Sequence, residues 1–155
     1  MTLAVTHAEQ DCAVLDCVRE VKPPFDPSSV VRDFADTLRC YGVREIRGDR
    51  YGGEWPTAEF RKHAITYRAA ERPKSDLYRE LLPMVNARRV ELLDNSKLVS
   101  QLVGLERRVG RGGRDSIDHR PGAHDDIANC VAGAIDMVLG KAKLGTVSSS
   151  PLWGI

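Results

Sequence analysis

The stretch around which the fold is organised is Asp-His-Arg-Pro-Gly-Ala-His-Asp-Asp-Ile-Ala-Asn, residues 118–129. Pro121 and Gly122 predict a turn, and the apolar periodicity that follows predicts a helix. Asp125 and Asp126 therefore stand side by side at a helix start. One interpretation is capping, because carboxylates accept hydrogen bonds from the free N–H groups of a first turn and suit the helix dipole. The other is a divalent-metal site, because Mg²⁺ prefers carboxylate oxygens.

The helix after this turn is predicted to run from Asp125 to Leu139 and to end at Gly140. Residues 141–155 contain Gly and Ser without periodicity, which predicts a mobile tail. A chain of 155 residues is long enough for one domain with a real core. The predicted organisation is one domain over residues 1–140 and a flexible tail over residues 141–155.

The most basic segment of the chain lies just before the turn. Arginines and glycines are interleaved there, which predicts a flexible hairpin or loop. One interpretation is a solvated loop. The other is a phosphate-binding segment beside the acidic turn, because Arg donates well to phosphate oxygens. The arginines of this segment are Arg107, Arg108, Arg111 and Arg114.

Strands and helices alternate through the middle of the chain, which predicts parallel α/β pairing. Asp49 follows the first of these strands, beside glycines. Functional sites gather at such strand ends in open α/β sheets, although Asp49 could equally shape the turn or cap the next helix. The predicted strands span residues 43–47, 65–69 and 90–93, and two predicted helices span residues 54–63 and 74–87. Asn95 or Ser96 is expected to cap a further helix, which carries Leu98, Val99, Leu102 and Leu105.

The chain before residue 43 predicts a β-hairpin, with strands over residues 2–6 and 12–21, followed by a helix. Asp26 is the expected N-cap of that helix, Pro27 its first residue and Gly42 its end. The predicted inner face of this helix is Val30, Val31, Phe34, Leu38 and Tyr41, and that of the helix over residues 74–87 is Leu77, Leu81, Leu82 and Val85.

Composition limits the class of protein. Hydrophobic residues make up 42% and charged residues 29%, which is typical of a soluble globular chain. No apolar run approaches the ~18 residues of a membrane span, so no membrane partner is expected. A net charge of +1 means that affinity for nucleic acid must come from local patches. The four cysteines form no CxxC pair and predict buried thiols in a reducing cytosol.

Four stretches occur in an order that suggests a family: residues 48–52 (Gly-Asp-Arg-Tyr-Gly), 74–78 (Lys-Ser-Asp-Leu-Tyr), 90–93 (Val-Glu-Leu-Leu) and 118–129. Together they resemble the C-terminal nuclease domain of the phage terminase large subunit, over nearly the whole chain. The resemblance implies an α/β fold of the ribonuclease-H-like type, with a mixed sheet flanked by helices. It also implies a hydrolase, an endonuclease that cuts concatemeric double-stranded DNA by two-metal phosphodiester hydrolysis.

The resemblance implies roles for particular residues. Asp49 would be a strand-end ligand, and Asp125 and Asp126 helix-borne ligands, of two Mg²⁺ or Mn²⁺ ions. Lys74 would contact DNA phosphate or the acidic cluster, or would equally be a solvated residue of its helix's first turn, and His124 would position the turn. Arg107, Arg108, Arg111 and Arg114 would lie along the DNA backbone. The implied partners are the terminase ATPase domain, the small terminase subunit and the portal protein, in the cytoplasm of a bacterial host, with the gene carried by a phage or prophage.

The chain departs from the family pattern at its start. The family domain begins with a central strand that carries a further metal-binding Asp, whereas Met1 to Val5 match the strand after it. We therefore expect an N-terminal truncation, from a fragment, a mis-assigned start codon or a split gene, and weaker binding of at least one ion. Two alternatives follow: an inactive remnant that binds DNA or serves as a structural domain, and a ribonuclease-H-like junction resolvase.

Overall fold

The computed structural model describes residues 1–49, 53–109 and 115–142, with side chains up to residue 139. Strands and helices alternate through most of this part of the chain. The elements are β1 (Thr2–Glu9), β2 (Cys12–Glu20), α1 (Pro27–Cys40), β3 (Glu45–Gly48), α2 (Trp55–Lys62), β4 (Thr66–Ala69), α3 (Lys74–Asn86), β5 (Val90–Glu91), α4 (Ser96–Val103), β6 (Leu105–Val109), β7 (Asp115–His119) and α5 (Asp126–Ala142).

The strands pair in three groups, with both parallel and antiparallel ladders. β1 and β2 form the predicted antiparallel hairpin, and β5 pairs with β2 in parallel through Ala13 and Val90. β3 and β4 are parallel, with Ile46 opposite Tyr67. β6 and β7 form a second antiparallel hairpin. The α/β pattern read from the sequence is confirmed, including its parallel pairs.

The β1–β2 hairpin is covered by helices on both faces, because its side chains alternate. Leu3 and Val5 face a cluster built on α1, whose buried side chains include Phe34. Ala4 and Leu15 face a second cluster that is dominated by α5. The N-terminus of α1 forms as predicted, because the Asp26 carboxylate accepts a hydrogen bond from the Ser29 N–H at 2.9 Å.

α5 lies at the centre of the domain and packs against the hairpin, α3 and α4. The Thr6 hydroxyl of β1 donates to the Ala134 carbonyl at 3.0 Å. The helix runs to Ala142, so its predicted end at Leu139 and Gly140 is wrong. The rest of the predicted tail, residues 143–155, lies outside the described residues. The buried side chains of α5 are Ile127, Ala128, Val131, Ala132, Ile135 and Leu139.

Several predicted core positions are exposed. Leu82 and Val85 of α3 are 60% and 40% exposed, because Tyr78 and Met84 join Leu77 and Leu81 on the inner face instead. Tyr41 and Val99 are also exposed. α4 ends at Val103, and Leu105 begins β6, because the chain pairs with β7 from that point.

The cysteines differ from the prediction at one position. All four are free thiols, as expected, but Cys40 is exposed at the end of α1, whereas the other three are partly buried. No helix of the described residues is both long and apolar enough to cross a bilayer.

The ion pair between Glu20 of β2 and Lys97 of α4 predicts a pH-dependent contribution to stability. Lys97 Nζ lies 2.7 Å from Glu20 Oε2, and this hydrogen bond lowers the pKa of Glu20, against a smaller opposing effect of desolvation. Because the folded-state pKa is the lower one, the contribution is fully present above the ordinary pKa of Glu and is lost as the pH falls through the folded-state pKa. We expect Lys97→Met to lower the free energy of unfolding by about 0.5–1 kcal/mol at neutral pH, since solvent screens the pair.

Urea unfolding of both chains at neutral and at acidic pH measures this contribution. The difference between the two chains should shrink once Glu20 is protonated in the folded state. An equal difference at both pH values would contradict the assignment to the ion pair.

Candidate metal centre

A short turn brings the end of β7 back beside the start of α5. Asp118 and His119 are the last residues of β7, and Asp125 immediately precedes α5. Gly122 adopts a φ of +78°, which favours glycine, and the Ala123 N–H donates to the Arg120 carbonyl at 3.0 Å. Within residues 1–49, 53–109 and 115–139, these three side chains form the group whose metal-ligating atoms all lie within 4.8 Å of one another.

α3 fixes β7 in place beside this turn. The Ile117 N–H of β7 donates to the Ser75 hydroxyl at 2.9 Å, and Arg79 Nη2 donates to the Asp115 carbonyl at 3.0 Å. Ser75 and Arg79 both lie in the first two turns of α3. Lys74, at the first position of α3, is thereby held next to Asp118.

Asp125 is the most buried member of the cluster, with its side chain 8% exposed. Its Oδ2 accepts a hydrogen bond from the Tyr78 hydroxyl at 2.8 Å. Burial, and then the hydrogen bond to Asp125, raise the pKa of Tyr78, so the phenol keeps its proton and donates it. The N–H of Ala128, which a capping Asp would satisfy, instead donates to Gln101 Oε1 at 2.9 Å. Capping of the Ala128 N–H therefore does not explain the position of the Asp125 carboxylate.

Lys74 bridges the two carboxylates of the cluster. Its Nζ lies 2.6 Å from Asp118 Oδ1 and 3.1 Å from Asp125 Oδ2. The hydrogen bond from Lys74 holds the pKa of Asp118 below its usual range. Burial acts to lower the pKa of Lys74, but the hydrogen bonds to the two carboxylates outweigh it and raise that pKa. Of the two contacts expected for Lys74, the structure therefore contains the one with the cluster.

His119 adds a nitrogen to the carboxylate oxygens. Its Nδ1 lies 2.8 Å from the Arg120 carbonyl, an acceptor, so Nδ1 donates there, and Nε2 is the ring nitrogen left to act as a ligand. Nε2 lies 3.7 Å from Asp118 Oδ1 and 3.9 Å from Asp125 Oδ1. The imidazole thus offers a ligand atom to the same space as the two carboxylates.

Two of the predicted ligands lie outside this cluster of three. Asp126 is the exposed first residue of α5, and its carbonyl accepts a hydrogen bond from the Thr2 hydroxyl at 3.4 Å. Asp49 is exposed at the end of β3, and its carbonyl accepts from the Tyr67 hydroxyl at 2.7 Å. His124 is also exposed, in the turn. Of the predicted ligands, the structure places Asp125 in the cluster.

The described part of the arginine segment lies in β6, which pairs with β7, and its arginines have acidic neighbours. Arg107 Nε lies 2.7 Å from Asp115 Oδ2. Arg108 donates to the His119 carbonyl at 3.0 Å and lies 3.8 Å from Glu106. Arg111 and Arg114 lie outside the described residues. The hairpin therefore carries charge of both signs next to the candidate metal centre.

Sequence reasoning did not assign a role to Asp118, His119 or Tyr78. The signal for the first two was their place directly before the turn, because a strand end and a helix start that are joined by a short turn must lie close together. The signal for Tyr78 was its spacing of four from Lys74, which puts both side chains on one face of a helix. Neither signal alone distinguishes a ligand from a surface polar residue.

The residues present fit a divalent ion. Two carboxylates and one imidazole are ligands that Mn²⁺ and, less readily, Mg²⁺ accept. The Oδ1 atom of Asn129, one turn beyond Asp125, is buried without a hydrogen-bond partner among the described residues. A buried oxygen without a partner is unusual in a well-packed interior, so the first turns of α5 contain an acceptor that is free to bind a further group.

Gly48, the residue before Asp49, has no room for a side chain, because the Tyr67 ring lies against it. A Cβ at Gly48 would lie 2.7 Å from two ring carbons of Tyr67, whose ring stacks on Phe60. We expect Gly48→Ala to lower the free energy of unfolding by about 1–2 kcal/mol, because overpacking forces the half-buried ring to shift. Thermal melting of Gly48→Ala beside Gly42→Ala tests this: Gly42 has open space around it but a φ of +66°, so its loss reports backbone strain alone. Unchanged stability of Gly48→Ala would show that Tyr67 moves aside freely.

No model of a known protein family and no curated protein matches the sequence. Solved structures do match. The large terminase nuclease of thermophilic phage G20c with bound magnesium has a TM-score of 0.70 at 17% identity, covering 88% of this chain and 82% of that one. The Thermus phage P74-26 large terminase nuclease domain has a TM-score of 0.69 at 16% identity, covering 91% of this chain and 81% of that one.

A longer protein matches as well. The HK97 bacteriophage large terminase has a TM-score of 0.59 at 13% identity, and the match covers 73% of this chain and 25% of that one. The G20c nuclease is also known with bound cobalt, and that structure has a TM-score of 0.70 to this chain. The chain therefore has the mixed α/β, ribonuclease-H-like fold of the large terminase nuclease domain, as its sequence predicted.

Proposed function

We propose that this chain is a metal-dependent endonuclease domain of a DNA-packaging terminase. The observation that carries the proposal is the buried Asp125 carboxylate, which is held beside Asp118 and His119 by Tyr78 and Lys74. The fold is that of terminase nucleases, one of which, from phage G20c, has been seen with bound magnesium and with bound cobalt. Buried carboxylates are costly unless cations accompany them; Lys74 supplies one positive charge for Asp118 and Asp125 together, and a divalent ion would balance both.

The residues in and around the cluster would have different roles in the proposed reaction. Asp118, His119 and Asp125 would hold a divalent ion, and Tyr78 would keep the Asp125 carboxylate turned toward it. Bound there, Mg²⁺ or Mn²⁺ would stabilise charge on a phosphate oxygen and make a water molecule more acidic. The Lys74 ammonium would offer its protons to a phosphate oxygen once an ion satisfied the carboxylates. In the two-metal form of the proposal, Asp49 and Asp126 are additional ligands.

Double-stranded DNA is the proposed substrate. Arg107, Arg108, Arg111 and Arg114 would follow its phosphates next to the cluster. The terminase ATPase domain, the small terminase subunit and the portal protein are the proposed partners, in the cytoplasm of a bacterium that carries the phage or prophage. The HK97 protein, of which the matched region is a quarter, is an example of a large terminase in which such a domain is one part.

A second candidate is a non-catalytic domain in which the cluster is a salt bridge. The observation that favours it is Lys74, whose ammonium already lies between Asp118 and Asp125. In that case the three charges would join α3, β7 and α5 without any ion. Metal binding separates the two candidates, because a purely structural salt bridge would not gain stability from Mn²⁺.

The experiment is nicking of supercoiled plasmid by the purified chain with Mn²⁺, beside the same chain with EDTA, and thermal melting under both conditions. We expect metal-dependent nicking and a higher melting temperature with Mn²⁺, since a ligand that binds only the folded chain stabilises it. An identical melting temperature under both conditions, without nicking, would contradict the metal-dependent nuclease. A four-way junction cut in preference to linear duplex would indicate a resolvase instead.

A further inference from the structure

A buried hydrogen bond from α4 to α5 bears directly on the candidate metal centre. The first N–H groups of a helix have no partner inside it, and an Asp directly before the helix ordinarily accepts from one of them. Asp125 occupies that place, since its carbonyl accepts the first helical hydrogen bond, from the Asn129 N–H at 2.8 Å. Its carboxylate is thus within reach of two competing sets of donors: the first turn of α5, and the cluster.

Gln101 satisfies one donor in the first turn of α5. It projects from α4, is only 8% exposed, and its Oε1 accepts from the Ala128 N–H at 2.9 Å. The donor is the third residue of α5, one of the two positions whose N–H a capping side chain satisfies. α4 packs directly on α5, so the amide is delivered by the core and not by the turn that carries Asp125.

The Asp125 carboxylate points the other way. Its Oδ2 accepts from Tyr78 at 2.8 Å and lies 3.1 Å from Lys74 Nζ, and its Oδ1 lies 3.9 Å from His119 Nε2. Each of these contacts lies on the side of α3 and β7. If Gln101 were absent, the unsatisfied and buried N–H of Ala128 would draw the carboxylate toward the helix, because leaving such a group without a partner is costly.

We propose that Gln101 is a positioning residue for the metal centre: it caps α5 in place of Asp125 and so keeps the Asp125 carboxylate available as a ligand. The inference rests on the proposed function and adds to it a residue outside the cluster. It makes metal affinity depend on a hydrogen bond that touches neither the metal nor any of the three ligand side chains.

Calorimetric titration of the folded chain with Mn²⁺ tests this. We expect Gln101→Met, which keeps the length and bulk of the side chain but lacks the amide oxygen, to weaken Mn²⁺ binding about tenfold, a loss typical of outer residues that orient a ligand. Gln101→Glu keeps an acceptor and should bind at least as tightly as the original chain. Leu102→Ala is the matched control, since Leu102 is a partly buried neighbour on α4 that packs on the same core.

The outcomes separate the two levels of the proposal. A lower melting temperature for Gln101→Met with unchanged Mn²⁺ affinity, as expected for Leu102→Ala, would leave Gln101 a structural cap and overturn the inference. If Gln101→Met fails to fold, Gln101→Asn takes its place, and unchanged affinity there would overturn the inference equally. No Mn²⁺ binding by the original chain, or equal binding by Asp125→Asn, would overturn the metal centre itself.

Discussion

Replacement of Asp125 by Asn is expected to lower metal-dependent nicking by at least about 100-fold, because a divalent ion supplies several kcal/mol of charge stabilisation in such reactions. The change removes one unit of negative charge from the most buried member of the cluster and keeps its shape. It also leaves a polar side chain for Tyr78 and Lys74, so the fold should persist. Initial nicking rates across a range of Mn²⁺ concentrations measure the effect.

Asp126→Asn is the matched control, one position along the same helix. The resemblance to terminase nucleases implies a ligand role for both residues, whereas the geometry separates them: Asp126 is exposed and outside the cluster of three. We expect its loss to cost much less than that of Asp125. Equal losses would establish both as ligands, as the two-metal proposal requires, and full activity of Asp125→Asn would remove Asp125 from the site.

The second large effect is expected from Lys74→Met, measured without metal. This change leaves the Asp118 and Asp125 carboxylates facing each other, one of them buried, without the ammonium that now lies between them. Removing one partner of a well-buried ion pair costs about 3–5 kcal/mol, and we expect about 2 kcal/mol here because Lys74 is partly exposed. In a chain of this length that corresponds to roughly 4–8 °C in melting temperature.

Mn²⁺ should restore part of that loss, because an ion would take over the charge that Lys74 supplied. Arg39→Met is the control: its pair with Asp36 is more than half exposed on both sides, so its removal should change little and should not respond to Mn²⁺. A Lys74 variant whose loss of stability is the same with and without Mn²⁺ would favour the structural salt bridge over the metal centre.

Local chemistry explains which parts of the fold could be predicted. The cap at Asp26 depends on residues three apart, and the turn at Gly122 on its immediate neighbours, so both follow from the sequence. The prediction was wrong for Leu82 and Val85, because apolar residues at helical spacing fit more than one neighbouring face of α3. The face that packs on α5 is the one that contains Tyr78.

The candidate metal centre could be predicted only in part, for a physical reason. The turn fixes the distance between Asp118 and Asp125, which are close in sequence. Lys74 lies 44 positions from Asp118 and Tyr78 lies 47 positions from Asp125, and both reach the site through the packing of α3 on α5 and β7. Gln101 arrives from α4 in the same manner. Contacts of this kind are set by the tertiary structure, and no periodicity in the sequence predicts them.

The central place of α5 has a consequence for motion at the site. Because the helix that follows Asp125 contributes buried side chains from Ile127 to Leu139, it cannot loosen without opening the core. Its amide protons should then exchange with solvent only when the whole domain unfolds, whereas the β6–β7 hairpin, with exposed side chains toward its far end, can open at a smaller cost in free energy. The α5 side of the candidate metal centre is therefore as rigid as the domain itself, whereas the β6–β7 side can open without unfolding the core.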